Sequence, residues 1–184
     1  MNKIIFLLAI TILTTNCFYK TNKEEQIAKR LEQIYFKQIT FSKYYSTVRN
    51  STSPEWDSIF FQRKKILVYI DSTGCTDCRI HDLRAWKNYM EDINYQADLI
   101  FIFQTKDLQA LERMVNLINL DPKFVFYDTL NTFEKQNAFL KDTEYNTFLL
   151  DKNNHILLIG TPLYHTDLWN LYKKQIIDHK QDNQ

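Results

Sequence analysis

The sequence carries almost no net charge. Its 23 lysines and arginines stand against 22 aspartates and glutamates, a formal balance of +1 over 184 residues. Phosphate backbones are held by concentrated positive surfaces, so nothing here points to nucleic acid as a partner. The apolar run near the start, Ile4 to Leu13, is ten residues long. A membrane-spanning helix needs ~20, so this run does not span. Only three cysteines occur: Cys17, Cys75 and Cys78. A zinc site built on Cys75, Cys78 and His81 lacks the second cysteine pair that structural zinc sites draw on. The residue after Cys78 is Arg79, which excludes the covalent haem attachment that places histidine there. Internal repeats and low-complexity segments are absent as well.

What is present is the composition of a folded globular chain: 45% apolar, 15% aromatic and 24% charged residues. The length suits one domain with a single sizeable core and an N-terminal extension. Lys3, the apolar run and Thr14-Thr15-Asn16-Cys17 read as a signal peptide. Its end resembles the cleavage site of bacterial lipoproteins, at which Cys17 becomes the lipidated first residue of the mature chain; a plain signal peptide and an uncleaved short anchor are the alternative readings. With Cys17 lipidated, two cysteines remain as a pair, and no odd thiol faces an oxidising compartment.

The expected organisation is a signal peptide over 1–17, a tether, helix and aromatic-rich extension over 18–62, and a domain over 63–184. Between Glu24 and Gln38, Ile27, Leu31, Ile34 and Tyr35 recur at helical spacing among charged residues, which predicts an amphipathic helix. Residues 37–42 suggest a short edge strand. From Tyr44 to Gln62 no period is visible, which predicts mostly loop.

From Lys65 the pattern sharpens. Ile66-Leu67-Val68-Tyr69-Ile70 is an apolar run of strand type, closed by Asp71-Ser72-Thr73-Gly74, residues that turn the chain. Beyond the cysteines, Ile80, Leu83, Trp86, Met90 and Ile93 repeat every three to four residues, predicting a helix of about 16 to 18 residues with the pair on its first turn. A strand over Asp98 to Gln104 and a helix bearing Leu108, Leu111, Val115 and Ile118 follow. The order strand, helix, strand, helix points to an α/β layer fold with parallel strands. Lys123 to Tyr127 suggests a further strand and Leu130 to Lys141 a further helix. Thr147 to Leu150 and His155 to Gly160 read as a hairpin joined at Asp151-Lys152-Asn153-Asn154, and Asp167 to His179 as a closing helix.

A disulfide between residues i and i+3 closes readily on the first turn of a helix. The free N–H groups and partial positive charge there stabilise a thiolate, lowering the Cys75 pKa below the ~8.5 of a free thiol. Cys75 is thus the expected nucleophile and Cys78 the resolving thiol. Asp77 disfavours a neighbouring thiolate and Arg79 favours one. A bridge this short restrains the unfolded chain little, so a purely structural disulfide explains it poorly. Asp71 has two readings: a turn residue bonding its own backbone, or a proton relay to the cysteines.

The strand 65–70, the turn Gly74-Cys75-Thr76-Asp77-Cys78, the tryptophan-bearing helix and the late Thr147–Asn153 hairpin resemble the thioredoxin superfamily, over roughly residues 62–180. The resemblance is strongest to membrane-tethered thiol:disulfide oxidoreductases of bacterial envelopes, and the extra strand and helix over 123–141 match that branch. It implies an α/β fold with a thioredoxin-like sheet and helices on both faces, carrying the N-terminal amphipathic helix in addition. It also implies exchange with protein thiols or disulfides, an unidentified electron donor, a lipid-anchored envelope location, and no cofactor or metal. Gly74, Thr76, Asp77, Tyr145 and Asn146 fall on the loops that contact substrate in the family. Three positions depart from it. Gly74 replaces the usual aromatic, Tyr69 stands where a buried acid commonly accepts a proton, and Tyr145 or Asn146 stands where a cis-proline opens the late strand. A cis bond at a non-proline residue costs ~3 kcal/mol, which predicts a trans bond there. These departures leave open a second reading: a non-catalytic binding or assembly module on the same fold, using the aromatic-rich segment 40–62 as its contact surface.

Overall fold

The computed structural model describes residues 24–42, 45–47, 63–71, 76–118, 125–141 and 145–177, with the backbone alone described at 46–47, 76–81 and 118. They belong to two units, residues 1–35 and 36–184. In the first, α1 spans residues 24–34, short of the expected Gln38. An exposed Glu25–Lys29 ion pair of 2.7 Å joins successive turns of this helix. Such pairs contribute only a few tenths of a kcal/mol. The second unit opens with Phe36 at a φ of 60°, incompatible with helix. Its N–H donates to the Ile156 carbonyl, and its ring stacks on His155.

Among its described residues the second unit has six strands: β1 (Ser46–Thr47), β2 (Lys65–Ile70), β3 (Asp98–Phe103), β4 (Val125–Tyr127), β5 (Thr147–Leu150) and β6 (Ile156–Ile159). Their order is β1-β4-β3-β2-β5-β6. The strand β2 is central and buried along its whole length, the reason its sequence is a continuous apolar run and not an alternating one. It pairs in parallel with β3, from Lys65 opposite Asp98 to Ile70 opposite Phe103, and antiparallel with β5. The β4 strand extends the parallel set, and β6 closes the other edge as the second arm of the expected hairpin.

Five helices in all are described: α1, α2 (Thr76–Asp92), α3 (Leu108–Ile118), α4 (Thr132–Gln136) and α5 (Thr166–Ile177). One sheet face, bearing Ile66, Val68, Ile70, Phe101 and Phe103, packs with Leu83, Trp86 and Met90 of α2, Leu111 and Met114 of α3, and Trp169 and Tyr172 of α5. On the other face the Phe133 ring of α4 stacks on Tyr69, centroids 4.6 Å apart. Helices therefore cover both faces, as the resemblance implied.

Three local expectations change. The strand over 37–42 contracts to one bridge, Gln38 against His155. Within the stretch expected as loop, Ser46 and Thr47 pair antiparallel with Tyr127 and Phe126. The helix over Leu130–Lys141 is instead α4 followed by a 3-10 turn at Ala138–Leu140, broken at the buried Asn137. That side chain is committed elsewhere. Its Oδ1 accepts from Thr40 N at 2.8 Å and its Nδ2 donates to Thr40 O at 2.9 Å, so the amide pairs with the Thr40 backbone as a strand would.

Lys65 is the unexpected core residue, fully buried at the first position of β2. Its Nζ donates to Asp151 O at 2.9 Å and to the buried Asn154 Oδ1 at 2.7 Å, tying the central strand to the β5–β6 turn. Asn154 holds the left-handed position of that turn, with φ 69°. Desolvation lowers the Lys65 pKa from 10.5 to about 8, against opposing fields from Asp151 and Asp98. Between those two values the unfolded chain binds more protons than the folded one, so this group makes stability rise with pH across that window. Lys65→Met is expected to lose about 2 kcal/mol near neutral pH, because Asn154 Oδ1 is left buried without its donor. It should also lose the rise above pH 8. Urea denaturation of both proteins from pH 7 to about 10 checks this, and parallel stability–pH curves would count against it.

Candidate active site

The C-terminal ends of β2, β3 and β4 lie side by side, and β2 runs out at Asp71, which is half-buried. α2 begins at Thr76, so Thr76, Asp77 and Cys78 form its first turn. Cys75 precedes Thr76 in the chain; Gly74, Cys75 and the lipidation residue Cys17 lie outside the described residues, as do the side chains of Thr76, Asp77 and Cys78. A helix start leaves backbone N–H groups without intrahelical acceptors and carries a partial positive charge. The helix is fixed from its far end. Leu83, Trp86 and Met90 are buried against β2, and Trp169 Nε1 donates to Asp92 Oδ2 at 2.7 Å. That bond and Lys173 hold the Asp92 carboxyl below the usual carboxylate range.

Tyr69, where the sequence resemblance implies a buried acid, does different work. Its ring is buried and stacked on Phe133. Its hydroxyl lies 3.2 Å from Gln104 Oε1 and 3.5 Å from Asn131 Oδ1. Burial, followed by the negative charges of Glu134, Asp128 and Asp71, pushes the phenol far above its ordinary pKa. The hydroxyl stays protonated and donates into a hydrogen bond. Asn131 sits in the left-handed region at φ 52° and passes the chain of contacts on, its Nδ2 donating to Glu134 Oε2 at 2.7 Å. The buried Asp128 accepts from Thr132 N, Thr132 Oγ1 and Phe133 N, all within 2.8 Å, and so satisfies the open N–H groups at the start of α4.

On the opposite flank of β2, Tyr145 and Asn146 lead into β5, half-buried and exposed respectively. Asn146 O accepts from Tyr69 N at 2.8 Å, which brings the expected substrate-contact position beside the end of β2. No cis peptide bond occurs among the described residues, and the bond joining Tyr145 to Asn146 is trans. Pro162 is buried in the loop after β6, where its carbonyl accepts from His165 N, an ordinary loop proline. Gly160, just before it, has φ 110°, a backbone conformation that only glycine adopts without strain.

The structure thus places Asp71 and Asn146 at the end of β2. It adds Gln104 and Asn131, which no local pattern singled out, because their common partner Tyr69 is 35 and 62 residues away. Among the described residues no three His, Cys, Asp or Glu side chains converge on a metal position, and no helix is long and apolar enough to cross a membrane.

The fold is thioredoxin-like. The chain superposes on the solution structure of a thiol:disulfide interchange protein from a Bacteroides species, with TM-score 0.57 and 10% identity, covering 82% of this chain and 96% of that one. It also superposes on a thiol-disulfide oxidoreductase from Bacteroides fragilis, with TM-score 0.54 and 17% identity, covering 73% and 99%. By sequence the chain matches no protein-family model and no curated protein.

The protonated Tyr69 hydroxyl gives a direct check. Tyr69→Phe is expected to leave the tyrosinate absorbance gained around the ordinary value of ~10 unchanged, since Tyr69 does not ionise there. Stability should fall by about 1 kcal/mol, the net worth of one buried hydrogen bond. An ultraviolet pH titration of both proteins reads this, and a loss of one tyrosine's absorbance near pH 10 would contradict it.

Proposed function

We propose that the chain is a thiol:disulfide oxidoreductase in which Cys75 is the nucleophile and Cys78 the resolving thiol. One observation carries the reading: α2 opens at Thr76, directly after Cys75 in the chain and at the end of the buried central strand, with Cys78 on its first turn. A thiolate at that point draws on the unpaired N–H groups of the helix start. The Cys75 thiolate attacks one sulfur of a substrate disulfide. A Cys75–substrate bond forms, the substrate S–S bond breaks, and the departing sulfur takes a proton. Cys78, as thiolate, then attacks Cys75 Sγ and releases the second substrate thiol. Two electrons have passed to the substrate, the pair is left as a disulfide, and a dithiol donor restores it. In this reading Asp71, the carboxylate that follows β2 in the chain, takes the Cys78 proton. Thr76, Asp77, Gly74 and the Tyr145–Asn146 edge contact the substrate chain.

The apolar leader and Cys17 support a place in the bacterial cell envelope, with the mature domain tethered through lipid on Cys17 and facing outward from its membrane. The partners there are envelope proteins carrying thiols or disulfides. A binding or assembly module without turnover is the second reading, favoured by Tyr69 in place of an acid and a trans-bonded Asn146 in place of a proline.

The two readings separate on one pair of variants. Cys78→Ser should accumulate disulfide-linked partner proteins on Cys75, because resolution is blocked after the mixed disulfide forms, while Cys75→Ser should accumulate few or none. Non-reducing gels of envelope extracts display the adducts. Absence of adducts in both variants, together with reaction of the wild-type pair with a model disulfide no faster than free cysteine, would favour the module.

A further inference from the structure

On the flank of β2 opposite Asn146, a cleft of about 830 Å³ opens at the C-terminal ends of β2, β3 and β4. Its size is that of a ligand pocket, not of a packing void. The floor is apolar, made by Ile70, Phe103, Leu111 and Met114. At the rim Leu130 is 62% exposed and Ala110 of α3 is half-buried, so the apolar surface continues outward into solvent. One wall is polar and carries the side-chain amides of Gln104 and Asn131, held in place by the Tyr69 hydroxyl.

The charge around the cleft is negative. Asp71, Asp107 and Asp128 line it, and Glu134 is bonded to the wall residue Asn131. Against these four stand Lys106 on the rim and Lys135, whose Nζ donates to Leu130 O. The fields of Asp71, Asp128 and Glu134 converge at Tyr69 behind the wall. An anion is not favoured: the start of α3 is already capped, with Asp107 Oδ1 accepting from Ala110 N at 2.9 Å. An apolar side chain fits the floor, a neighbouring cation fits the rim, and a peptide backbone fits the amide wall.

We infer that this cleft binds an extended segment of the partner polypeptide, seating an apolar side chain between α3 and the β4–α4 loop with a lysine or arginine beside it. Resting on the oxidoreductase reading, this makes the cleft a specificity site. Asp71 lies on its wall and is four residues before Cys75, so a segment held there is presented to the redox pair by contacts independent of the reacting sulfurs.

The test uses the full chain and a fluorescent, cysteine-free peptide with leucine, lysine and phenylalanine at its centre, alongside the same peptide with glutamate for lysine. Anisotropy titration should give about tenfold tighter binding of the lysine peptide, a preference that fades with salt. Ala110→Trp, which fills the cleft from α3, should weaken binding about tenfold or more, the worth of one apolar side chain's burial. Leu130→Ser, at an exposed position where folding is not at stake, should weaken it in the same direction. Reduction of a small aromatic disulfide should proceed equally in wild type and both variants. Because the peptide has no sulfur, its binding reads the cleft even if the wild type reduces nothing, so failure of the oxidoreductase reading and failure of this one are told apart. Equal affinity for the two peptides, binding unaltered in both variants, or self-association of the chain in place of peptide binding would each overturn the inference.

Discussion

The arrangement depends on the pairing of β2 along both edges. The six residues of this strand, Lys65 to Ile70, are all buried and pair with β3 on one side, and the first four, Lys65 to Val68, pair with β5 on the other. A strand so placed has no freedom in register, because a slip of one residue would exchange every side chain between the two helix layers. Where β2 ends is therefore fixed, and with it the place from which the chain passes through Asp71 to the start of α2. The same pairing delivers Asn146 to one flank of the strand end and Gln104 to the other. The buried Lys65 clamps the opposite end of the strand to the β5–β6 turn, at the cost of a desolvated ammonium. Replacing such a group with an apolar one is tolerated in many cores, but here the acceptors Asp151 O and Asn154 Oδ1 belong to the turn that joins the last two strands.

Position 69 lies between the sheet and α4, where the Tyr69 ring stacks on Phe133. Burial and three carboxylates push its phenol far above the ordinary value, so it stays protonated. Its hydroxyl lies within reach of Gln104 and Asn131. The fold has thus used this position for structure. The trans bond at Asn146 has a similar meaning: the backbone there leads into β5, with its carbonyl engaged by Tyr69 N.

What the sequence made legible follows from local periodicity. The continuous runs of β2 and β3, the three-to-four spacing that gives α2 its 17 residues, and the hairpin around Asp151–Asn154 are each fixed by neighbours in the chain. What stayed hidden depends on distant partners. Asn137 breaks a helical pattern because its amide pairs with Thr40, 97 residues away. The two residues of β1 are too few to show alternation and exist through β4. Lys65 reads as the polar boundary of a strand, yet its acceptors, 86 and 89 residues on, draw it into the core. The cleft is assembled from three loop regions whose composition looks like ordinary turns, so only the parallel order of β2, β3 and β4 exposes it.

The central claim is that the end of β2 and the start of α2 create a reactive thiol at Cys75 and a sheltered one at Cys78. The pH dependence of alkylation of the fully reduced protein, with each modified cysteine assigned by mass, tests it most directly. The account predicts that Cys75 reacts first, with an apparent pKa below the ~8.5 of a free thiol, and that Cys78 reacts far more slowly. Equal rates at the two cysteines, both titrating at or above the free-thiol value, would contradict it.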